Sequence, residues 1–358
     1  MTPSVGVDGV PTASRLIVQD LAMKSIACRA PHEIAQEERA APQALAEGWV
    51  LLDVSYVGIC GTDYHIYEGK HPFLEYPRVI GHEISGVVSK AHPSSGFVAG
   101  ETVVVNPYLS CGVCGACRKG KPNCCERIEV LGVHRDGGMC EQIAVPSTNL
   151  YHADGLSPRD AAMVEFLAIG AHSVRRAGET KGSALVVGAG PIGLGVAIFA
   201  RIAGLDVTIA DVDAGRLTQA EKVLGDVGSV VVGDADALTR VKVLEPGGFD
   251  VVFDATGNAG SIMAGFPFVA HGGTYVLVSV VKDEITFSDP EFHKREMSLI
   301  GSRNATAPDF EHVIASIGRG AVPLDALATH ETTLDTVVTD LPRWAREKEG
   351  LIKALVRI

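Results

Sequence analysis

The sequence predicts an α/β protein in two parts: a compact β-rich domain, and a doubly wound parallel sheet covered by helices on both faces. Three observations carry that prediction. From Lys24 to Val145 the chain runs in short β-rich stretches broken by Gly, Pro, Asn and Asp, such as WVLLDVSYVGIC, ISGVVSKA and ETVVVNPY, which suits a compact β domain. Beyond Ser157 the rhythm changes. ALVVGAG, PIGLGVAIFARIAG, DVTIAD, GRLTQAEKVLG, SVVVGD, FDVVFDATG and GTYVLVSV alternate apolar strands with amphipathic helices, the pattern of a parallel sheet buried on both sides. Length agrees, because 358 residues exceed what one small core organises.

Taken in order, residues 1–22 (MTPSVGVDGVPTASRLIVQDLA) lack a basic start followed by an apolar stretch, so no signal peptide is read there. They are expected to form a disordered extension before a second possible start at Met23. The segment PRDAAMVEFLAIGAHSVRRAG has helical spacing and Gly178 at its end. LIKALVRI reads as a final strand that returns to the first domain. The expected division is therefore 23–168 with 304–358 in the β-rich domain, and 169–303 in the parallel-sheet domain.

Composition narrows the function classes. Hydrophobic content of 46%, charged content of 21% and 40 glycines describe a glycine-rich globular protein. A formal net charge of −12 opposes a general nucleic-acid or anionic-membrane binder. It leaves room for a small-molecule substrate, even an anionic one, where a pocket is locally basic. No stretch reaches the roughly 18 consecutive apolar residues of a membrane span, and a cytoplasmic location is expected. Of eight cysteines, five occupy candidate zinc positions; Cys28, Cys124 and Cys140 are left over. That usage points to a reducing compartment rather than a disulfide framework.

Three motifs carry chemistry. The run CGVCGACRKGKPNCC places Cys111, Cys114, Cys117 and Cys125 as four clustered thiolates, the ligand set of a closed structural zinc site. Such a site orders its loop without doing chemistry. GAGPIG places Gly188, Gly190 and Gly193, with Pro191 and Ile192 between them, directly after the strand ALVV and at the start of a helix. In that context the first glycine makes the turn, the second admits a pyrophosphate and the third lets helix and strand pack. The phosphates then sit at the helix N-terminus. Asp211 ends the next strand, where a carboxylate binds both ribose hydroxyls and repels a 2′-phosphate, which selects NAD over NADP; Arg216 is placed near the adenine end. Third, CGTDYH (Cys60 to His65) and GHE (Gly81 to Glu83) bring a thiolate, an imidazole and a carboxylate to possible zinc positions beside apolar strands. A catalytic zinc needs about three protein ligands and one open position, and it polarises a bound alcohol.

With CGTDYH, GHE, the four-cysteine lobe and GAGPIG in that order, the chain resembles the zinc-dependent medium-chain dehydrogenase/reductase family from Met23 to its last residue. The resemblance implies a GroES-like catalytic domain beside a Rossmann domain, with the active site between them. It implies Cys60 and His82 as constant catalytic-zinc ligands, and Glu83 or Glu165 as the carboxylate that completes the set while the other holds a water. Glu165 matches a position that is cysteine in simple alcohol dehydrogenases and glutamate in polyol and threonine dehydrogenases. Polyol-type members usually read Glu-Pro here; this chain reads Glu165-Phe166. Thr62 matches the hydroxyl that takes the substrate proton, His65 a relay toward solvent, and Asp63 a support for His82. A homodimer or homotetramer is implied as well.

The substrate expectation rests on a narrower resemblance. LGVHRDGG (Leu131 to Gly138) and FSDPEFHKREMSLIGSRNAT (Phe287 to Thr306) resemble segments of bacterial sugar-acid dehydrogenases, which oxidise L-galactonate or L-gulonate at carbon 5 to a keto-hexuronate. A carboxylate substrate needs a cationic clamp. Arg303 is the first candidate, because guanidinium binds carboxylate with two hydrogen bonds; His293 and His134 are further candidates, while Lys294 and Arg295 read as a solvated basic face. A polyol or L-threonine dehydrogenase is the nearest alternative. An isomerase with tightly bound NAD, or a nucleic-acid-binding zinc module, has no specific support in the residues.

Overall fold

The computed structural model describes residues 22–358 except 44, 73 and 154. The extension expected over 1–22 lies outside the described residues apart from Ala22, which opens the first strand.

β1 (Ala22–Ala30) and β2 (Glu33–Ala40) form an antiparallel pair, followed by β3 (Trp49–Ile59), α1 (Gly61–Tyr67), β4 (Arg78–Val79), β5 (Glu83–Ala91) and β6 (Thr102–Val105). The cysteine lobe follows, with β7 (Tyr108–Leu109), α2 (Gly115–Arg118) and β8 (Glu129–Val130), then β9 (Gln142–Pro146) and β10 (Leu150–His152). The helical stretch after Ser157 is two helices, α3 (Pro158–Ala161) and α4 (Val164–Ala177), and Gly178 caps the second.

The parallel-sheet half contains β11 (Ser183–Val187), α5 (Pro191–Ala203), β12 (Asp206–Asp211), α6 (Ala214–Leu224), β13 (Gly228–Val231), α7 (Ala237–Leu244), β14 (Phe249–Asp254), α8 (Ala259–Gly265), β15 (Val269–Leu277), α9 (Asp289–Lys294) and β16 (Ser298–Gly301). The chain then forms α10 (Ala307–Gly318), α11 (Leu324–Leu327), β17 (Ala328–Thr333), α12 (Val337–Arg346) and β18 (Lys353–Arg357).

The six parallel strands run in the order β13-β12-β11-β14-β15-β16, a doubly wound sheet whose strand order reverses beside β11. Ligands bind at such a reversal, outside the carboxyl ends of the strands. The larger mixed sheet runs β10-β6-β5-β3-β18-β17, with β9 also on β3, and a smaller sheet is β2-β1-β4. β18 pairs antiparallel with β3 from Ala354 opposite Ile59 to Arg357 opposite Tyr56. The strand LIKALVRI thus lies beside the strand that ends just before Cys60.

Three apolar clusters hold these layers. One fills the mixed sheet, around Leu52, Val57, Ile84 and Val356. A second lies behind the outer face of the parallel sheet, around Val252, Phe268 and Tyr275. The third joins the two halves: Phe166 and Leu167 of α4 pack with Val196 and Phe199 of α5, Phe310 of α10 and Leu355 of β18. α4 is amphipathic and mostly buried, with ten of its residues inside, Glu165 and His172 among them. Buried polar side chains on a helix need partners. His172 Nδ1 lies 2.8 Å from Asp309 Oδ2, and Arg175 Nε donates to Asp309 Oδ1 at 2.7 Å. Asp309 also accepts from the Thr306 amide at 2.8 Å, capping α10.

Burial alone would raise the Asp309 carboxyl, but the His172 and Arg175 hydrogen bonds overcome it and hold the group well below the usual carboxylate range. A depressed carboxyl contributes its full stability above its unfolded pKa of about 4, and that contribution fades as pH falls below it. Asp309→Ala should therefore cost about 3 kcal/mol at neutral pH, read from urea unfolding. The gap between variant and parent should narrow below about pH 4; a gap independent of pH would refute the ionic contribution.

Candidate active site

Cys60 directly follows β3 and caps α1. The sequence Cys-Gly-Thr-Asp makes this local: Asp63 accepts the Cys60 amide at 2.9 Å, closing a capping box. The other Asp63 oxygen accepts the Gly81 amide at 3.1 Å. One fully buried carboxylate therefore ties the segment before α1 to the segment before β5, and so places Cys60 against His82 and Glu83. The sulfur, imidazole and carboxylate atoms of these three residues lie within 4.8 Å of one another.

Asp63 was expected to support His82, and here the structure differs. Its Oδ1 stands 4.0 Å from His82 Nδ1, too far for a hydrogen bond; its oxygens bond the Cys60 and Gly81 amides. Nδ1 is buried and has no hydrogen-bond partner. Burial would lower the His82 pKa, but the neighbouring Cys60 thiolate, with Asp63 and Glu165, raises it well above the ordinary value. A thiolate, an imidazole and a carboxylate at this spread fit one zinc ion.

Glu83 and Glu165 have different surroundings. Both oxygens of Glu83 accept from Lys353 Nζ, at 2.7 and 2.8 Å, and the same ammonium donates to the Ile59 carbonyl at 3.2 Å. The Lys353 ammonium also lies 4.3 Å from the centre of the Phe166 ring. Gly58 of β3 makes room for this pair: a Cβ there would collide with the Glu83 carboxylate. Burial lowers the Lys353 pKa, yet Glu83 and Cys60 outweigh it and the net shift is upward. Glu165, in the first turn of α4, lies outside the 4.8 Å group and accepts a short hydrogen bond from the Tyr108 hydroxyl. Burial pushes its carboxyl up to about 7, with Glu83 adding to the rise and His82, Tyr108 and Lys353 opposing it.

The remaining expected residues fall into two groups. Thr62 Oγ1 lies 3.9 Å from Cys60 Sγ. His65 stands on the same helix, its pKa lowered by partial desolvation and by the ammonium groups of Lys348, Lys70 and Lys282 against an opposing pull from Glu68. Lys282 reaches the Lys70 carbonyl at 3.5 Å, bridging the parallel-sheet half to the loop after α1. His134 accepts the Val130 amide at 3.1 Å through Nδ1. The other two clamp candidates are not brought into this group by any described contact. Arg303 has an exposed side chain and is held through its carbonyl, which accepts Asn123 Nδ2 at 2.9 Å. His293 is on the short helix α9, where Lys294 and Arg295 face Glu291 at 3.7 Å.

The cysteine lobe places Cys111, Cys114, Cys117 and Cys125 sulfurs within 4.8 Å of one another, a spread that fits tetrahedral zinc. Amides of Val113 and Cys114 lower the Cys111 thiol to about 6. All eight cysteines are free thiols.

At the sheet reversal a cavity of about 560 Å³ is lined by Gly188, Gly190, Asp211, Arg216 and Thr256 among others. Gly190 caps α5, and Pro191 and Ile192 begin its first turn, so the N-terminus of a 13-residue helix starts at the cavity wall. Gly193 packs so closely that a Cβ would fall on the Gly188 carbonyl oxygen. Asp211 accepts the Ala189 amide at 2.7 Å and the Asp213 amide at 3.0 Å. That fixes the carboxylate beside the glycine turn while leaving each oxygen capacity for a ribose hydroxyl.

Comparison with known proteins agrees with this geometry. The alcohol dehydrogenase GroES-like domain matches residues 46–155, and the zinc-binding dehydrogenase domain matches 191–319. The chain is 41% identical over 342 residues to L-galactonate-5-dehydrogenase of Escherichia coli K12, covering 93% of this chain and 98% of that one. The chain belongs to the zinc-binding alcohol dehydrogenase family. A second relative, 2-dehydro-3-deoxy-L-galactonate 5-dehydrogenase of Pseudoalteromonas atlantica, is 34% identical and covers 88% of this chain and 92% of its own. An alcohol dehydrogenase from E. coli CFT073, solved with NADH, superposes with a TM-score of 0.87 at 29% identity, covering 94% of this chain and 99% of that one. The protein is thus a dehydrogenase that uses zinc and NAD and acts on a small molecule. Among the described residues, no helix is long and apolar enough to cross a membrane.

In this dehydrogenase the sequence reading missed Lys353 and Tyr108. A lysine within the apolar strand LIKALVRI was the available signal, since a charge in a core strand demands a buried partner. Nothing near Tyr108 marked it.

Two outcomes follow from the packing. Lys353→Met should strand the Glu83 charge and cost about 3–5 kcal/mol in urea unfolding, with Glu83→Gln in the same chain restoring much of the loss. An unrestored double variant would mean that packing, not charge, dominates. Gly193→Ala should raise the NADH dissociation constant by at least about 10-fold by fluorescence titration; unchanged affinity would show that the turn relaxes around the added methyl.

Proposed function

We propose that the protein oxidises a secondary alcohol on a sugar acid, in the manner of L-galactonate or L-gulonate converted to the 5-keto-hexuronate. The observation that carries this reading is a convergence of ammonium groups around His65, on the helix that Cys60 caps, one of them, Lys70, being paired with Glu68 at 2.8 Å. Lys70, Lys282 and Lys348 come from three separate parts of the chain and act together on His65, in a protein whose net charge is −12. A neutral polyol has no use for such convergence, whereas a carboxylate is drawn in by it. The two named relatives both carry sugar-acid names, which agrees.

On this reading Cys60 and His82 hold the catalytic zinc, with a carboxylate from Glu83 or Glu165, and the four lobe cysteines hold the structural one. When bound, zinc would supply a Lewis acid for the substrate hydroxyl, and NAD⁺ an acceptor for the hydride on its carbon. Thr62, beside Cys60, takes the hydroxyl proton and His65 passes it to solvent. The α5 amides and Asp211 orient the dinucleotide, with Arg216 beside the adenine end. Arg303, with His134 and His293 as further candidates, is assigned to the substrate carboxylate. This reading includes the division at 23–168 with 304–358 against 169–303, a homodimer or homotetramer, and a cytoplasmic location.

NADH absorbance with zinc-loaded enzyme and NAD⁺ tests it across L-galactonate, L-gulonate, sorbitol, xylitol and L-threonine. The expected result is preference for a sugar acid, with a KM that rises with salt as the charges are screened. Arg303→Ala should weaken sugar-acid turnover by about 10-fold or more and polyol turnover little. Equal loss on both would remove Arg303 from the clamp. Turnover of neutral polyols alone would defeat the sugar-acid assignment.

A further inference from the structure

We propose that the cysteine lobe is a positioning device for helix α4, and that Tyr108 and Asn123 are the residues through which it sets the catalytic zinc site. The lobe touches α4 at two points. At its root, the hydroxyl of the half-buried Tyr108 donates to Glu165. Near its tip, Asn123 is buried, and its Nδ2 lies 3.3 Å from His172 Nε2 while donating to the Arg303 carbonyl at 2.9 Å. Glu165 and His172 are about two helical turns apart on one helix, so the lobe fixes both its height and its rotation. Asp309 of α10 accepts from the other nitrogen of the same imidazole at 2.8 Å, so the ring is held on both sides by elements outside α4.

The lobe has little else to hold its shape. Its regular elements are a four-residue helix, a three-residue 3-10 turn that carries Asn123, and strands of two residues each. Asn123 lies between Cys117 and Cys125 in the chain, so closing the cage immobilises the very segment that reaches α4. A site usually read as bracing its own loop thereby braces the carboxylate beside Cys60 and His82. Positioning groups behind metal-site residues affect metal affinity by about 10–100-fold, which sets the expected size of the effect.

The inference rests on zinc binding at the Cys60 group and not on the substrate, so its test uses no turnover. Zinc-loaded protein is dialysed against a chelator, and the ions retained per chain are followed by elemental analysis. The absorption spectrum after Co²⁺ replacement reports the catalytic position. Tyr108→Phe and Asn123→Ala should each release one ion at least about 10-fold faster and shift the Co²⁺ bands, while the cage ion stays. Lys119→Ala, on the exposed surface of the lobe, should release at the parent rate. If Asn123→Ala folds poorly, His172→Gln alters the same contact from the helix side and should give the same shift. Parental release and spectrum in both Tyr108→Phe and Asn123→Ala would overturn the proposal. An effect of Tyr108→Phe alone would also overturn it, since Tyr108 would then be an isolated contact and the lobe no device.

Discussion

The buried ion pair between Glu83 and Lys353 is the constraint on which the rest of the site depends. Taking two charges out of water is costly, and such a pair persists only where every hydrogen-bonding valence is met. Here the ammonium has three donors and three acceptors, the two Glu83 oxygens and the Ile59 carbonyl. The Phe166 ring covers it. Satisfying the pair requires β18 in its register against β3, a glycine at position 58, and α4 close enough to lend an aromatic face. Each of these also fixes a neighbour of Cys60 or His82.

α4 is the shared member of the protein's two chemistries. One turn presents Glu165 toward the metal group and Phe166 toward Lys353, and the remainder packs on α5, whose N-terminus faces the dinucleotide cavity. The Glu-Phe sequence that departs from the usual polyol pattern is therefore accommodated inside a regular helix. Phenylalanine buries its ring where proline would offer no cover for the ammonium.

What was legible in the sequence was what is local. The cage cysteines span fifteen residues of chain, GAGPIG is a single turn, and CGTDYH caps one helix; their spacing is their geometry. The strand–helix alternation after Ser157 gave the parallel sheet for the same reason. Contacts made across the chain were not legible. Tyr108 meets Glu165 at a separation of 57 residues, and Asn123 meets His172 at 49, with no pattern to announce either. Asp63 shows a subtler failure. A carboxylate near a metal histidine suggested support of the ring, but the hydrogen bonds it makes are to the Cys60 and Gly81 amides, and the ring stands 4.0 Å away.

The separation of Glu83 and Lys353 by 270 residues has a consequence for how the molecule comes together. The whole parallel sheet lies between them in the chain. β3, β5, β6 and β9 pair among themselves within the first half of the sequence, whereas β18 reaches β3 from its far end. A nascent chain short of Lys353 therefore already holds Cys60, His82 and Glu83 but lacks the ammonium that neutralises Glu83.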